Sequence, residues 1–218
     1  SYDEKDSTCS KRVEKNFESL LTENFGSLKI GVIKNIDSLG INTDVMQSYE
    51  TSKSVLTGLG HKLKEVDFSE LSSGICSYYV IAPAECSSNL SRFDGVKYGY
   101  RASNQKDISN LYMETRSEGF GDEVKKRILI GTHVLSAGFY DAYYLQAQKV
   151  RRMIKNKFES IFKDVDLIFM PTTLDQAFEK NRKDSDPNRM YKEDLLTIPA
   201  NLAGLPAISF PNGFKNNL

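Results

Sequence analysis

Apolar residues recur along the first third of the chain with two different periods. Val13, Phe17, Leu20 and Leu21 fall on one face of a helix that Gly26 can end in the left-handed conformation. The run Leu28-Lys29-Ile30-Gly31-Val32-Ile33 has strand length and is rich in β-branched residues. Asn42-Thr43-Asp44 suits a helix cap with an acidic first turn. Val45, Tyr49, Leu56 and Leu59 share the inner face of the helix it opens, and Gly60 can stop it. Lys62-Leu63-Lys64-Glu65-Val66-Asp67 then alternates like a strand exposed on one side. Strand, helix and strand in so short a span predict a βαβ unit, with parallel pairing through a right-handed crossover.

From Ser72 the pattern changes. Tyr78-Tyr79-Val80-Ile81-Ala82-Pro83-Ala84-Glu85-Cys86 is nearly uncharged and is expected to be buried, with Pro83 kinking a helix or opening a new one. Residues 93–105, with Gly95 and Gly99, read as loop, and Gly119 and Gly121 as a further turn. Two long helices follow, over 122–136 and 141–162. In the second, Tyr143, Ala147, Val150, Ile154, Phe158 and Ile161 recur at helical spacing. Residues 165–170 read as a buried strand stopped by Pro171, 175–188 as a polar surface loop, and Ala207-Ile208-Ser209-Phe210 as a last strand. There is no internal repeat, and no linker divides the chain. Residues 1–218 are therefore expected to form a single α/β segment, a sheet flanked by helices.

Composition narrows the functional classes. The 29 basic and 29 acidic side chains cancel, which argues against a broadly cationic nucleic-acid binder. The 11 Tyr and 12 Phe are core material that a disordered chain lacks. No apolar run approaches the roughly 18 residues of a membrane helix, so no membrane contact is expected. Cys9, Cys76 and Cys86 contain no C-x-x-C and read as reduced core thiols of a cytoplasmic protein. With only His61 and His133 to add, a metal site has almost nothing to be built from. The chain opens at Ser1-Tyr2 without methionine and closes at Asn217-Leu218 just after its last predicted strand. We therefore expect an internal piece of a longer polypeptide.

The residues show no catalytic engine. Nucleophilic hydrolysis needs an activated Ser, Cys or Thr facing backbone donors for the oxyanion, but no G-x-S-x-G elbow occurs. The serine pairs Ser72-Ser73 and Ser87-Ser88 lack flanking glycines and a matched base, and helix roles fit them better. Gly119-Phe120-Gly121 falls short of a dinucleotide loop. Glu85 reads as a hydrogen-bonded core carboxylate. Lys125-Lys126-Arg127 and Arg151-Arg152 read as solvated helix faces.

Two charges stand out. Arg116, just before the glycine turn, offers a planar fork that can hold a carboxylate through two parallel hydrogen bonds. Asp186, in Asp184-Ser185-Asp186-Pro187, is a loop carboxylate that could receive an ammonium group. A free amino acid needs both partners, because its main-chain atoms form a zwitterion. The structural readings are an ion pair of Arg116 with Glu114 or Glu118, and turn chemistry before proline for Asp186.

Several stretches together resemble one family. These are YYVIAPAE (78–85), SNLSRFDG (88–95), RSEGFGDEVKKRILIGTHVLSAGFYDAYYLQAQKVR (116–151), MPTT (170–173) and TIPANLAGLPAISFP (197–211), with the opening YDEKDST (2–8). They are similar to the A subunits of glutamyl-tRNA(Gln)/aspartyl-tRNA(Asn) amidotransferases, within the amidase-signature family, over nearly the whole chain. The resemblance implies part of a mixed sheet flanked by helices, in an enzyme that hydrolyses glutamine and passes ammonia to a partner subunit. That partner, with ATP and Mg, would amidate Glu-tRNA(Gln) or Asp-tRNA(Asn). No cofactor is implied for this chain. The B and C subunits would be its partners, mischarged tRNA would be held mainly through B, and the location would be cytoplasmic, or an organellar matrix in a eukaryote.

The resemblance also implies that the Ser–cis-Ser–Lys engine lies upstream of Ser1 and that a stretch beyond Leu218 pairs with the 207–210 strand. This chain would then form the substrate-binding side and be inactive alone. Arg116 would hold the glutamine carboxylate and Asp186 its ammonium, with Asp184 as the fallback. Tyr78 or Tyr79 would line the pocket or the ammonia path. The alternatives are another amidase-signature hydrolase of a small neutral amide, for which neither charge has a counterpart, and a non-catalytic interaction fragment.

Overall fold

In a computed structural model, the protein is described at residues 2–11, 17–23, 25–34, 36–69, 71–103, 106–178 and 192–214. A short helix, α1 (Phe17–Leu20), precedes the first strand, β1 (Lys29–Ile33). Val13, predicted on the same helical face, lies outside the described residues. A 3₁₀ turn and α2 (Thr43–Gly58) lead to β2 (Lys62–Val66), and β3 (Leu167–Phe169) joins much later, in the order β2-β1-β3. Both pairings are parallel, with Ile30 opposite Leu63 on one side and Leu167 on the other. The βαβ unit is thus present, and no antiparallel pair occurs among the described residues.

The physics of this unit is local. Asn42 caps α2 by accepting from the Asp44 N–H, as its position before the helix predicts. Tyr49 is 2% exposed, stacks on Phe169 and donates its hydroxyl to the Phe169 carbonyl at 3.2 Å. One side chain therefore ties α2 to β3. Leu59, expected on the inner face, is instead 69% exposed, because the helix has ended before it. Gly60 follows at φ 89°, turning the chain into β2. The outer strand β2 carries Lys62, Lys64 and Glu65 on its exposed positions, charges that blunt a sheet edge.

The helical layer is built on α3 (Leu71–Leu90), which runs through Pro83 as one helix. Around it pack α5 (Asp122–Val134), α6 (Leu145–Ile161) and α7 (Ile198–Ala203), with α4 (Ile108–Gly119) alongside the loop that leaves α3. Ala147, Ile154, Phe158 and Ile161 of α6 are buried as their spacing predicts, Ile154 completely. The long second helix differs at its start: Tyr140–Tyr144 is a π-helical turn, and Tyr143 is 49% exposed. A wider turn shifts the phase of the stripe, so Tyr143 leaves the face that Ala147 occupies.

Other expectations are corrected. Between the predicted loop and the glycine turn stands a full helix, α4, capped by Asp107 onto the Asn110 N–H. Residues 207–210 form no strand, with Ile208 87% and Phe210 58% exposed; they meet no sheet edge among the described residues. Cys76 and Glu85 face solvent, because α3 buries Ser77, Ile81 and Ala84 and leaves other positions open. Cys9 and Cys86 are half-buried. Among the described residues no helix is long and apolar enough to cross a membrane.

Candidate functional site

Three charged groups of the helical layer, Glu123, Arg127 and Asp194, meet at one corner, where α3, α5 and the segment entering α7 come together. Tyr78 and Tyr79 are consecutive on α3 and half-buried, with ring centroids 5.1 Å apart in an edge-to-face arrangement. The Tyr79 hydroxyl donates to Asp194 Oδ2 at 3.3 Å. Asp194 is fixed by its own backbone, since its carbonyl accepts the Thr197 and Ile198 N–H groups at 3.2 and 3.0 Å. From the other side, the Arg127 guanidinium of α5 stands 6.0 Å from the Tyr79 ring centre. Arg127 Nε also donates to Glu123 Oε1 at 3.2 Å, one turn earlier on the same helix.

The electrostatics follow from this packing. Burial pushes the Tyr79 hydroxyl up to about 12; the Asp194 carboxylate adds to this by repelling a phenolate and accepting the proton, while Arg127 opposes it. Tyr79 is therefore a neutral donor at physiological pH. Arg127 is held more firmly protonated than usual, first by the hydrogen bond it shares with the Tyr78 side chain, against a desolvation that acts the other way. A permanent cation and a carboxylate thus share one tyrosine pair.

Arg116 serves differently. Its Nη1 donates to the carbonyls of Leu90 at 2.8 Å and Phe93 at 3.2 Å, and its guanidinium lies 5.1 Å from the Phe120 ring centre. Leu90 ends α3, and its carbonyl, past the reach of the intrahelical ladder, accepts both this arginine and the Phe93 N–H at 3.2 Å. These contacts replace the expected ion pair with Glu114 or Glu118; Glu118 accepts the Tyr100 hydroxyl instead. The neighbouring Thr115 is buried, accepts the Ala102 N–H at 3.2 Å and leaves no room for a side chain at Gly95. The end of α4 therefore fastens the loop of residues 93–102. Asp186 and its fallback Asp184 lie outside the described residues.

The other candidates take structural partners. Ser87 pairs with Thr132 across to α5. Arg151 donates to the Leu202 carbonyl at 2.9 Å, near the end of α7. His61 accepts the Leu28 N–H through Nδ1, while His133 packs on Phe139. No group of three His, Cys, Asp or Glu that could hold a metal ion occurs among the described residues.

Residues 1–217 match the amidase family. The chain belongs to that family. Curated relatives of this amidase-family chain include the A subunit of the glutamyl-tRNA(Gln) amidotransferase of Hahella chejuensis, 51% identical over 217 residues, which cover 100% of this chain and 45% of the relative. The protein of the same name from Coxiella burnetii is 48% identical over the same coverage. The crystal structure of the glutamyl-tRNA(Gln) amidotransferase A subunit from Thermotoga maritima superposes with a TM-score of 0.71 at 38% identity, covering 99% of this chain and 42% of that one. The chain thus spans less than half the length of these relatives, and its sheet and helices are part of an amidase-signature fold.

Sequence reasoning missed Arg127 and Asp194 as members of a cluster. Arg127 is hidden in a basic run, yet it sits one turn before Gly131, and a glycine inside a helix marks a face where another backbone comes close. Its side chain is 31% exposed, against 72% for Lys126 beside it. Asp194 carries no such local mark.

Proposed function

We propose that this chain forms the amino-acid-holding side of a glutamine-hydrolysing amidase, the A subunit of a tRNA-dependent amidotransferase. In this reading the complete polypeptide hydrolyses glutamine through a Ser–cis-Ser–Lys engine and releases ammonia. A B subunit, with ATP and Mg, uses the ammonia on Glu-tRNA(Gln) or Asp-tRNA(Asn), and a C subunit completes the cytoplasmic assembly. The family match and the similarity to amidotransferase chains of that name support this reading.

The zwitterion argument needs one cation and one carboxylate within reach of the same small molecule. We assign these roles to Arg127 and Asp194, in place of Arg116 and Asp186. The observation that carries the assignment is the shared tyrosine pair: Asp194 accepts from the Tyr79 hydroxyl while Arg127 stands over the Tyr79 ring. The guanidinium would take the α-carboxylate of glutamine through its fork, the Asp194 carboxylate would take the α-ammonium, and Tyr78 and Tyr79 would wall the space between. A neutral amide offers neither charge a counterpart, so the arrangement selects an amino-acid amide.

The test is glutamine kinetics of the full-length polypeptide assembled with its partner subunits. Arg127→Ala and Asp194→Asn should each raise the glutamine KM strongly, since removing one member of a desolvated charge pair costs about 2–5 kcal/mol. If Arg116→Ala and Asp186→Ala raise it instead, the roles belong to that pair. If none of the four does, glutamine is not held here.

A further inference from the structure

We propose that Gly131 is a positioning residue for Arg127: by letting α5 approach the backbone of α3 at Pro83, it sets where the guanidinium stands beside Tyr78 and Tyr79. The inference rests on the reading of Arg127 as the carboxylate partner and names what holds it in place. On α5, Arg127 and Gly131 are one turn apart and face the same way; on α3, so are Tyr79 and Pro83. The two helices meet at both levels. At one, Arg127 lies over Tyr79. At the other, a Cβ on Gly131 would fall 1.9 Å from the Pro83 carbonyl oxygen, 2.5 Å from its carbon and 2.7 Å from Ser87 Cβ.

The nearest obstacle is backbone, so no side chain can move aside to admit even a methyl group. Gly131 has an ordinary helical backbone, and the need for glycine is purely one of space. A methyl group there must push α5 off α3 by on the order of an ångström before carbon and oxygen regain a normal contact distance of about 3.5 Å. The contact is also pinned laterally. Thr132 donates its hydroxyl to the Ile128 carbonyl at 2.8 Å, so the 2.9 Å contact with Ser87 is made by the Ser87 hydroxyl donating to Thr132. Close approach fixes the separation of the helices and the hydroxyl pair fixes their slide, both within about a turn of Arg127.

The experiment is Gly131→Ala in the full-length polypeptide assembled with its partners, read as separate kcat and KM values for glutamine. A misplacement of about 1 Å can cost about a hundredfold, so we expect KM to rise about tenfold or more. At saturating glutamine kcat stays within a few-fold of the parent, because the reacting amide end is not displaced. A fall in kcat at constant KM, or no change in either, overturns the inference. Thr132→Val, which removes only the lateral pin, settles the matter if Gly131→Ala does not assemble. It should raise KM by about threefold, the size of one net hydrogen bond, at unchanged kcat, and an unchanged KM overturns the inference. Arg127→Ala runs beside them: if it raises KM while Gly131→Ala and Thr132→Val do not, only the positioning role fails. If it too leaves KM unchanged, the underlying assignment falls with it.

Discussion

Arg116 and Arg127 lie on consecutive helices, and each guanidinium sits over an aromatic ring, Phe120 in one case and Tyr79 in the other. What separates them is where their donors go. Arg116 reaches two backbone carbonyls, Leu90 at the end of α3 and Phe93 in the loop that follows, and so ties that loop to the helix end. Arg127 instead donates to a side chain, Glu123, and stands over the Tyr79 ring, partners that can rearrange around an incoming carboxylate. An arginine that caps a backbone is needed to hold the fold, whereas one held by side chains at a half-open corner is available to a ligand. A conspicuous sequence setting, such as a glycine turn, does not distinguish the two cases.

The sharpest way to break this comparison is to replace each arginine by a side chain of similar length without charge. Arg127→Met should lower kcat/KM for glutamine by about a hundredfold or more, consistent with losing about 2–5 kcal/mol of charged contact. Its unfolding midpoint should barely move. Arg116→Met should do the reverse, costing about 1.5–3 kcal/mol of stability through the lost charge-assisted bonds and leaving the glutamine KM unchanged. Denaturant titration and glutamine kinetics on the same two proteins give the four numbers. If both variants lose activity and neither loses stability, the distinction between fold and ligand roles is wrong.

Much of the fold is legible in the sequence where one short stretch contains its own reasons. The apolar β1, the Asn42 cap and the alternating β2 all lie within one βαβ unit, so local pattern suffices. The helix α4 escapes because it buries only Leu111 and Thr115 while exposing Ile108, Tyr112 and Met113, so it shows no apolar stripe. Residues 207–210 fail in the opposite sense, being apolar enough for a strand but without a neighbouring edge to pair with among the described residues. For the site, Tyr78 and Tyr79 stand out because their segment is uncharged. The contact that makes them a site joins Tyr79 to a residue 115 positions away, and no spacing rule reaches that far.

Two glycines sharpen the comparison at intermediate size. Gly95 serves the Arg116 region as Gly131 serves the Arg127 region, and each excludes a side chain. At Gly95 the obstacle is Thr115, with Oγ1 2.7 Å from a would-be Cβ, and φ is 78°, a conformation that penalises any Cβ. Gly95→Ala should therefore lower stability by about 1–3 kcal/mol. Glutamine KM should not respond, since the loop of residues 93–102 is fastened to α4 and not to the tyrosine corner. A KM shift in Gly95→Ala comparable with that of Gly131→Ala would show that the two regions are coupled, and the comparison would lose its force.

The smallest effect concerns the proton on Tyr79. Its hydroxyl titrates near 12, above the ordinary phenol value of 10.0, because burial and Asp194 favour the neutral form. A pKa raised on folding means that the neutral hydroxyl stabilises the native state fully below about 10, and that this contribution is lost as pH rises through about 12. Tyr79→Phe removes the bond to Asp194, worth about 0.5–1.5 kcal/mol at neutral pH, and should remove this part of the alkaline loss as well. The difference in stability between parent and Tyr79→Phe should thus be constant up to about pH 10 and shrink above it. Phenolate absorbance should show one fewer late-titrating tyrosine in the variant. Were the difference to persist undiminished at high pH, neither burial nor the Asp194 carboxylate would be holding the Tyr79 proton, and the carboxylate half of the proposed amino-acid site would lose the support of its electrostatics.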